Sequence, residues 1–568
     1  MQITTTHLAI AGLAIWGFGF LVVSRFLQKV YLKYKPGRKV PAIELRDDVD
    51  FYPAHPTTLF GDHWASIAGG APLAGGAAGA MWGFLPAFLY ITVGNILLGS
   101  PHDYATMHIS MRKKGKTIGG LIQELISERA GKMGVFIGWF TIGAFMAVFL
   151  TALAKVFSAT PQLTLPTLAF TASGLIMGFL IYRFGWPVLY ASLVGVTIVA
   201  IFIFLGYQYP ITWSFYTWII IFTIYPVISA CLPAWMLVEP RNFLNFIFMS
   251  AGVIILVVGA LFGSLPVMLP ALIAVTAKGP VWPMLFLAIS CGALTGMHSF
   301  WTTGYTSRRV PDEKFVRLIG YGGLVLEGLT AFVALASAAV LPLAVYTEFI
   351  GKGWIFILQN GYAEIAGKVF PFISHHGWLV WGGLIGSVFM ITTLESGARN
   401  MRVFLIELYG MLYKPVSAKY STASKWFAAS FSMGCCLALA LSGAWFYIWV
   451  LFPALSSLLA LMSFMTIITW LRLVGRPTGY WWAALIFTTF VIAIPGASYL
   501  SYTYVVKGMY HLCWIPAIAL VLTAFFYVDF FKRRSSMTEK EIALATAEEE
   551  GEEPATPRDR KVGMAPAK

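Results

Sequence analysis

The chain has 568 residues, of which 58% are hydrophobic and only 11% charged. A soluble globular protein carries roughly 25% charged residues, so too little polar surface is present to coat a soluble core, and a lipid bilayer is the solvent this composition fits. The net charge of +14 does not point to nucleic acid, because the basic residues fall in short clusters between apolar runs.

Crossing a bilayer takes about 20 mostly apolar residues in a helix. This length predicts an all-α polytopic membrane protein with about 15 transmembrane helices. The first six fall near 7–27, 60–82, 84–109, 133–156, 166–184 and 187–206. Spans 7 to 11 follow near 215–238, 242–265, 282–304, 318–343 and 377–398. The last four lie near 424–442, 446–470, 481–504 and 511–531. No Lys or Arg precedes the first run, and no small-residue cleavage site follows it. It therefore reads as a first span rather than a cleavable signal. With the N-terminus outside, all of the 39 Lys and Arg except Lys155, Lys278, Lys352, Lys368 and Lys507 lie on the inner side. That agreement with the positive-inside rule predicts an outer N-terminus and a cytoplasmic C-terminus.

Four regions follow. Residues 1–58 hold one span and a basic cytoplasmic loop, and 59–410 form a transporter core. Residues 411–534 add C-terminal spans, and 535–568 form a polar, disordered cytoplasmic tail with an acidic run from Glu548 to Glu553. The stretch 344–376 is too polar to span and reads as an external loop with an amphipathic helix. The five cysteines have no CxxC or metal-like spacing and read as small core residues.

Span 2 is rich in Gly and Ala, with Pro72 at its middle. Small residues let helix backbones approach, and Gly69-Gly70-Ala71-Pro72 predicts an interrupted helix. Irregular backbone at membrane depth is tolerated only where it is buried in protein or lines a cavity. Span 7 carries Pro226 and Pro233 and is the second expected interruption. Two interrupted helices in corresponding positions of two halves mark a transporter binding site. They predict a 5+5 inverted repeat of spans 2–6 and 7–11, with solute bound by Gly69, Gly70, Ala71, Pro72, Tyr225, Ser229 and His298.

Ionisable groups inside spans are costly and default to functional hypotheses. Glu327, in the middle of span 10, reads as a proton-coupling carboxyl or as a structural carboxyl bonded to a neighbouring helix. Asp103 either pairs with His102 or couples. Asp62 and His63 read as a gate or as solvated end residues. Glu395 and Arg399 stand i, i+4 apart, the spacing of an intrahelical ion pair. His298 lies among Thr295, Ser299, Thr302 and Thr303, either as a satisfied buried histidine or beside oxygens that a hard cation would want. No Walker A loop, HExxH or GxSxG motif is present. The chain therefore reads as a transporter rather than an enzyme or an ATP-driven pump, with an uncoupled permease or a nutrient sensor as rival readings.

Several blocks, in order from Phe60 to Glu407, resemble the carbon starvation protein A family of bacterial transporters. They are LFGDHWASIAGGAPLAGG, PHDYATMHISMRKKGKTIGGLI, SACLPAWMLVEPRNFL, SCGALTGMHSFWTTG, RLIGYGGLVLEGLTAFVAL and TLESGARNMRVFLIEL. By that resemblance His63, Asp103, His298, Glu327 and Arg399 occupy matching positions, and Glu395 stands where Asp is usual. Gly75-Gly76 replaces Gly-Pro, and Ser456-Ser457 replaces Asn-Gln, a change that bears on specificity. The resemblance implies a bacterial inner-membrane protein that takes up pyruvate or short peptides during nutrient limitation. It also implies the architecture of the amino acid–polyamine–organocation superfamily. The coupling ion is then H⁺ at Glu327, supported by Asp103, His63, Glu395 and Arg399, or Na⁺ between Ala68, Thr302 and Thr303. No other cofactor is implied.

Overall fold

The computed structural model describes residues 2–413 and 421–550. It is helical throughout, apart from a short hairpin in which Val275 pairs with Pro280 and Thr276 with Gly279. Among the described residues, twelve helices are long and apolar enough to cross a membrane. In lipid a helix satisfies its main chain internally, and large apolar side chains such as Leu189, Phe204 and Phe262 stand exposed on the outside of the bundle.

Three expected spans fall short of a continuous crossing helix. Span 2 is split into Pro56–Ala68 and Ala71–Gly79. Its joint is Gly69, whose φ of 44° favours glycine and where a Cβ would stand 2.6 Å from Thr393 Oγ1. The carbonyls near this joint find partners on span 11: Thr392 Oγ1 donates to Ala65 O at 2.7 Å and Thr393 Oγ1 to Ser66 O at 3.2 Å.

Span 7 is not interrupted at its middle. Its helix runs from Phe215 to Cys231 straight through Pro226. It ends because Pro233 disfavours helical geometry at Leu232, which is extended. The expected repeat of spans 2–6 onto 7–11 therefore lacks its second break at span 7. The second interruption lies in span 9, where Val281–Ala288 is followed by Ser290–Ala293 and His298–Thr302. Within it Cys291 and Leu294 are extended and Gly292 has a φ of 89°. Asn95 of span 3 satisfies a freed carbonyl and ties the break to span 10, donating from Nδ2 to Gly292 O at 2.9 Å and to Leu324 O of span 10 at 2.8 Å.

The two interrupted spans lie side by side and antiparallel. Gly79 packs on Ile289 and Gly75 on the Ala288 carbonyl. A Cβ on Gly292 would sit 3.5 Å from Pro72 Cβ. His63 Nδ1 lies 2.9 Å from Thr306 Oγ1. The two joints therefore meet. The Gly-Ala content of span 2 has its reason in the same place: a Cβ on Gly76 would come within 2.1 Å of the Ala331 carbonyl of span 10.

Two further regions differ in part from expectation. The stretch between spans 10 and 11 forms helices Leu343–Lys352 and Trp354–Val369. The second buries Ile357, Leu358, Tyr362 and Ile365 against the bundle, and a Cβ on Gly361 would come within 1.9 Å of Ser337 O. The tail expected to be disordered from residue 535 instead begins with the end of helix Tyr510–Ser536 and a further helix, Glu539–Glu550. An ion-pair network holds this last helix to the bundle by Glu549. The rest of the expected tail, 551–568, lies outside the described residues.

Candidate functional site at the paired interruptions

Five side chains form a continuous buried array beside the two joints. His102 Nδ1 stands 2.8 Å from Asp103 Oδ1, and the other oxygen of Asp103 stands 3.1 Å from His298 Nδ1. On its far side His298 Nε2 lies 3.4 Å from Glu327 Oε2. The Cys291 thiol donates to Glu327 Oε1 at 2.9 Å, and its sulfur is 3.6 Å from His298 Nε2. The break in span 9 produces this geometry. Cys291 and His298 are seven residues apart, and the extended residues between them turn both toward span 10. Span 3 adds Asp103 from helix Ser100–Arg112. Glu327 and Asp103 are fully buried and His298 is 2% exposed, so the array is shut off from both faces.

Two carboxylates and two imidazoles in one contiguous line are neutral when they hold two protons. Gaining or losing one leaves a net charge in the protein interior, where charge is costly. The protons belong to the array as a whole rather than to single residues. Ligand atoms of Cys291, His298 and Glu327 lie within 4.8 Å of one another, yet the hydrogen bonds above account for their approach.

A second charged layer lies beyond Thr306. Asp62, expected near the solvated end of span 2, is fully buried. It pairs with Arg309 at 2.7 Å and accepts from Asn242 Nδ2 at 2.7 Å. Arg309 also reaches Glu239 at 3.5 Å, and Glu239 accepts hydrogen bonds from Tyr52, Thr58 and Tyr182. His63 is likewise buried, against span 10 at Gly323 and at Thr306.

Glu395 and Arg399 do not pair with each other, despite their i, i+4 spacing. Glu395 pairs with Arg241 of span 8 at 2.7 Å. Arg399 pairs with Asp50 at 2.7 Å and donates to the carbonyls of Ser229 and Leu232 at the end of span 7. Tertiary partners surround both side chains, so each leaves the helix face. Arg402 donates to both oxygens of Asp50 at 2.7 Å. Burial alone would raise the Asp50 carboxyl, but Arg402 and Arg399 outweigh it and hold the group well below the usual carboxylate range.

Gly69 to Pro72 thus share one place with His298, Glu327 and Asp103. Tyr225 and Ser229 have other neighbours: the Arg241 guanidinium stands 5.8 Å from the centre of the Tyr225 ring, and the Ser229 carbonyl accepts from Arg399. The hydroxyls expected opposite Ala68 also point away from it. Thr302 Oγ1 is 2.8 Å from Thr106 Oγ1, and Thr303 donates to Ser299 O. Thr392 and Thr393 occupy that side of the first joint. Ser456 hydrogen-bonds Thr295 within the second interruption, which brings the Ser456-Ser457 departure against the site. Cys291, read as a small core residue, is a member of the array. Its place in SCGALTGMHS, ahead of two glycines and His298, was the available signal.

The sequence profile described as carbon starvation protein CstA matches residues 4–354 and 347–497. The chain belongs to this family. The peptide transporter CstA of Helicobacter pylori strain 26695 is 27% identical over 582 residues, covering 89% of this chain and 81% of its own. The pyruvate/proton symporter BtsT of Escherichia coli K12 is 25% identical over 492 residues, covering 72% and 68%. Among solved structures, a substrate-bound outward-open Na⁺-coupled sialic acid symporter aligns over 91% of this chain and 96% of its own. Its 10% identity and TM-score of 0.35 are too low to carry an argument. With its membrane-capable helices, this CstA-family chain is a multi-pass membrane transporter of small molecules and not an enzyme.

Proposed function

We propose that the protein is an ion-coupled secondary transporter that takes up a small carboxylate solute, pyruvate or a short peptide, by alternating access under nutrient limitation. The observation that carries this reading is the meeting of two antiparallel interrupted helices beside a buried carboxylate–imidazole array. Such joints expose helix ends at membrane depth, and the positive end of the half-helix starting at Ala71 favours a carboxylate. The names of the CstA and BtsT relatives support the two solutes and, for BtsT, the proton. Glu327, at the end of the array, takes and releases the coupling proton as the site turns from one face to the other. The protein sits in the bacterial inner membrane with its N-terminus outside and its C-terminus in the cytoplasm.

A Na⁺-coupled reading draws on one specific feature, the Thr392 and Thr393 hydroxyls beside the Ala65 and Ser66 carbonyls at the first joint. The deciding experiment is uptake of labelled pyruvate, with di- and tripeptides in parallel, into proteoliposomes under an imposed proton or sodium gradient. Proton-driven pyruvate accumulation is the expected result. Sodium-driven accumulation moves coupling to the first joint, peptide uptake alone changes the solute, and no uptake of either by folded protein overturns the reading.

A further inference from the structure

The last described helix, Glu539–Glu550, ends on an ion-pair cluster that the transport reading leaves unused. Glu549 is 6% exposed, whereas Glu548 and Glu550 on either side of it are exposed. Three guanidinium groups converge on it. Arg476 Nη2 donates to Glu549 Oε1 at 2.8 Å, and Arg112 Nη1 donates to the same oxygen. Arg38 Nη1 donates to Oε2 at 3.2 Å and to the Glu549 carbonyl at 2.9 Å.

Each arginine belongs to a different part of the bundle. Arg476 follows span 13 and also donates to the Tyr31 and Leu32 carbonyls at the end of span 1. Arg112 closes span 3, nine residues beyond Asp103. Its other nitrogen donates to Glu313, just before span 10, which also stands 3.4 Å from His108. One carboxylate from the tail therefore ties together the same-side ends of the helices that carry Asp103 and Glu327.

We propose that helix Glu539–Glu550 is a latch. With Glu549 seated among Arg38, Arg112 and Arg476, it holds the ends of spans 1, 3, 10 and 13 together and keeps this face of the protein closed. Withdrawal of Glu549 leaves the buried Arg112 and Arg476 and the partly exposed Arg38 close together, opposed among the described residues by Glu313. Uncompensated buried charges are strongly destabilising, so the arginines separate and the face loosens. The latch itself is independent of the transport reading. Only its consequence, control of access to the array, rests on it.

The test is hydrogen–deuterium exchange on the full chain in lipid nanodiscs, which requires no solute and no transport. The wild type is compared with Glu549→Gln, Arg38→Gln and the exposed control Glu550→Gln. In Glu549→Gln, residues 108–116, 312–322 and 539–550 are expected to exchange about tenfold faster or more, with 330–339 at the far end of span 10 unchanged. Arg38→Gln gives a smaller acceleration in the same segments, and Glu550→Gln gives none. Wild-type protection in Glu549→Gln overturns the latch. Uniform acceleration that includes 330–339 also overturns it, since it marks a general loss of stability. Free exchange of 539–550 in the wild type overturns it as well.

Discussion

Glu327 and Glu395 are both fully buried acids, and their neighbours set them apart. Glu327 faces an imidazole and a thiol, neither of which carries a permanent charge. Glu395 faces the permanent charge of Arg241. Glu327→Gln keeps an acceptor for the Cys291 thiol but cannot release a proton. Gradient-driven accumulation is expected to fall about tenfold or more, to the level of equilibration, while exchange of solute across ungraded vesicles persists. Uptake measured with and without the gradient checks this. Arg241→Ala leaves Glu395 buried without its partner and is expected to cost about 3–5 kcal/mol of stability. A double-mutant cycle is expected to place a coupling of about 1–3 kcal/mol between Glu395 and Arg241 and about zero between Glu395 and Arg399. Asp50 supplies the pH dependence. Its carboxyl is lowered in the folded chain by Arg402 and Arg399, so its contribution is fully present above the ordinary value of 3.8 and is lost as the pH falls below it. Asp50→Asn removes that acid-dependent slope in melting curves taken from pH 5 downward. The ionisable residues inside the spans were legible in the sequence, and so was the His102–Asp103 pair, but the pairing across distant spans was not. Helical spacing put Glu395 next to Arg399, and only tertiary packing supplies the cross-span partners Arg241 and Asp50.

The interrupted helices show the same division at the scale of the element. The break at Gly69 was readable from adjacent glycines and Pro72. The break in span 9 carries no proline; it depends on Gly292 and on an amide, Asn95, nearly two hundred residues away. In span 7, prolines gave a false signal. An interior proline can be tolerated where neighbouring groups re-satisfy the backbone in a membrane helix, and Pro226 lies within an intact one. Glycine identity matters most where a main-chain atom stands opposite. Gly76→Ala drives a methyl group into the Ala331 carbonyl and is expected to destabilise by about 1–3 kcal/mol. Gly434→Ala meets nothing within 4 Å and is expected to be neutral or slightly stabilising. Thermal unfolding of the two variants in the same detergent compares them directly.

For the whole molecule, composition and span length gave the helical membrane architecture, because a bilayer leaves few alternatives for an apolar chain. Docking of the 354–369 helix was hidden because its apolar face, Ile357, Leu358, Tyr362 and Ile365, is too short a run to read as a span, and docking of the tail because it rests on the ion pairs of one residue, Glu549. The approach of Gly76 to Ala331 has a mechanical consequence. With main chain against main chain and no side chain between them, the outer half of span 2 and span 10 have no compliant layer along which to slip. Span 3 is joined to span 10 in the same way, since a Cβ on Gly320 would stand 3.0 Å from Tyr104 Cα and 3.4 Å from Asp103 O. The outer half of span 2 and spans 3 and 10 are therefore expected to travel as one piece, carrying Asp103 and Glu327 together, with bending left to the interrupted backbones at Gly69 and Gly292.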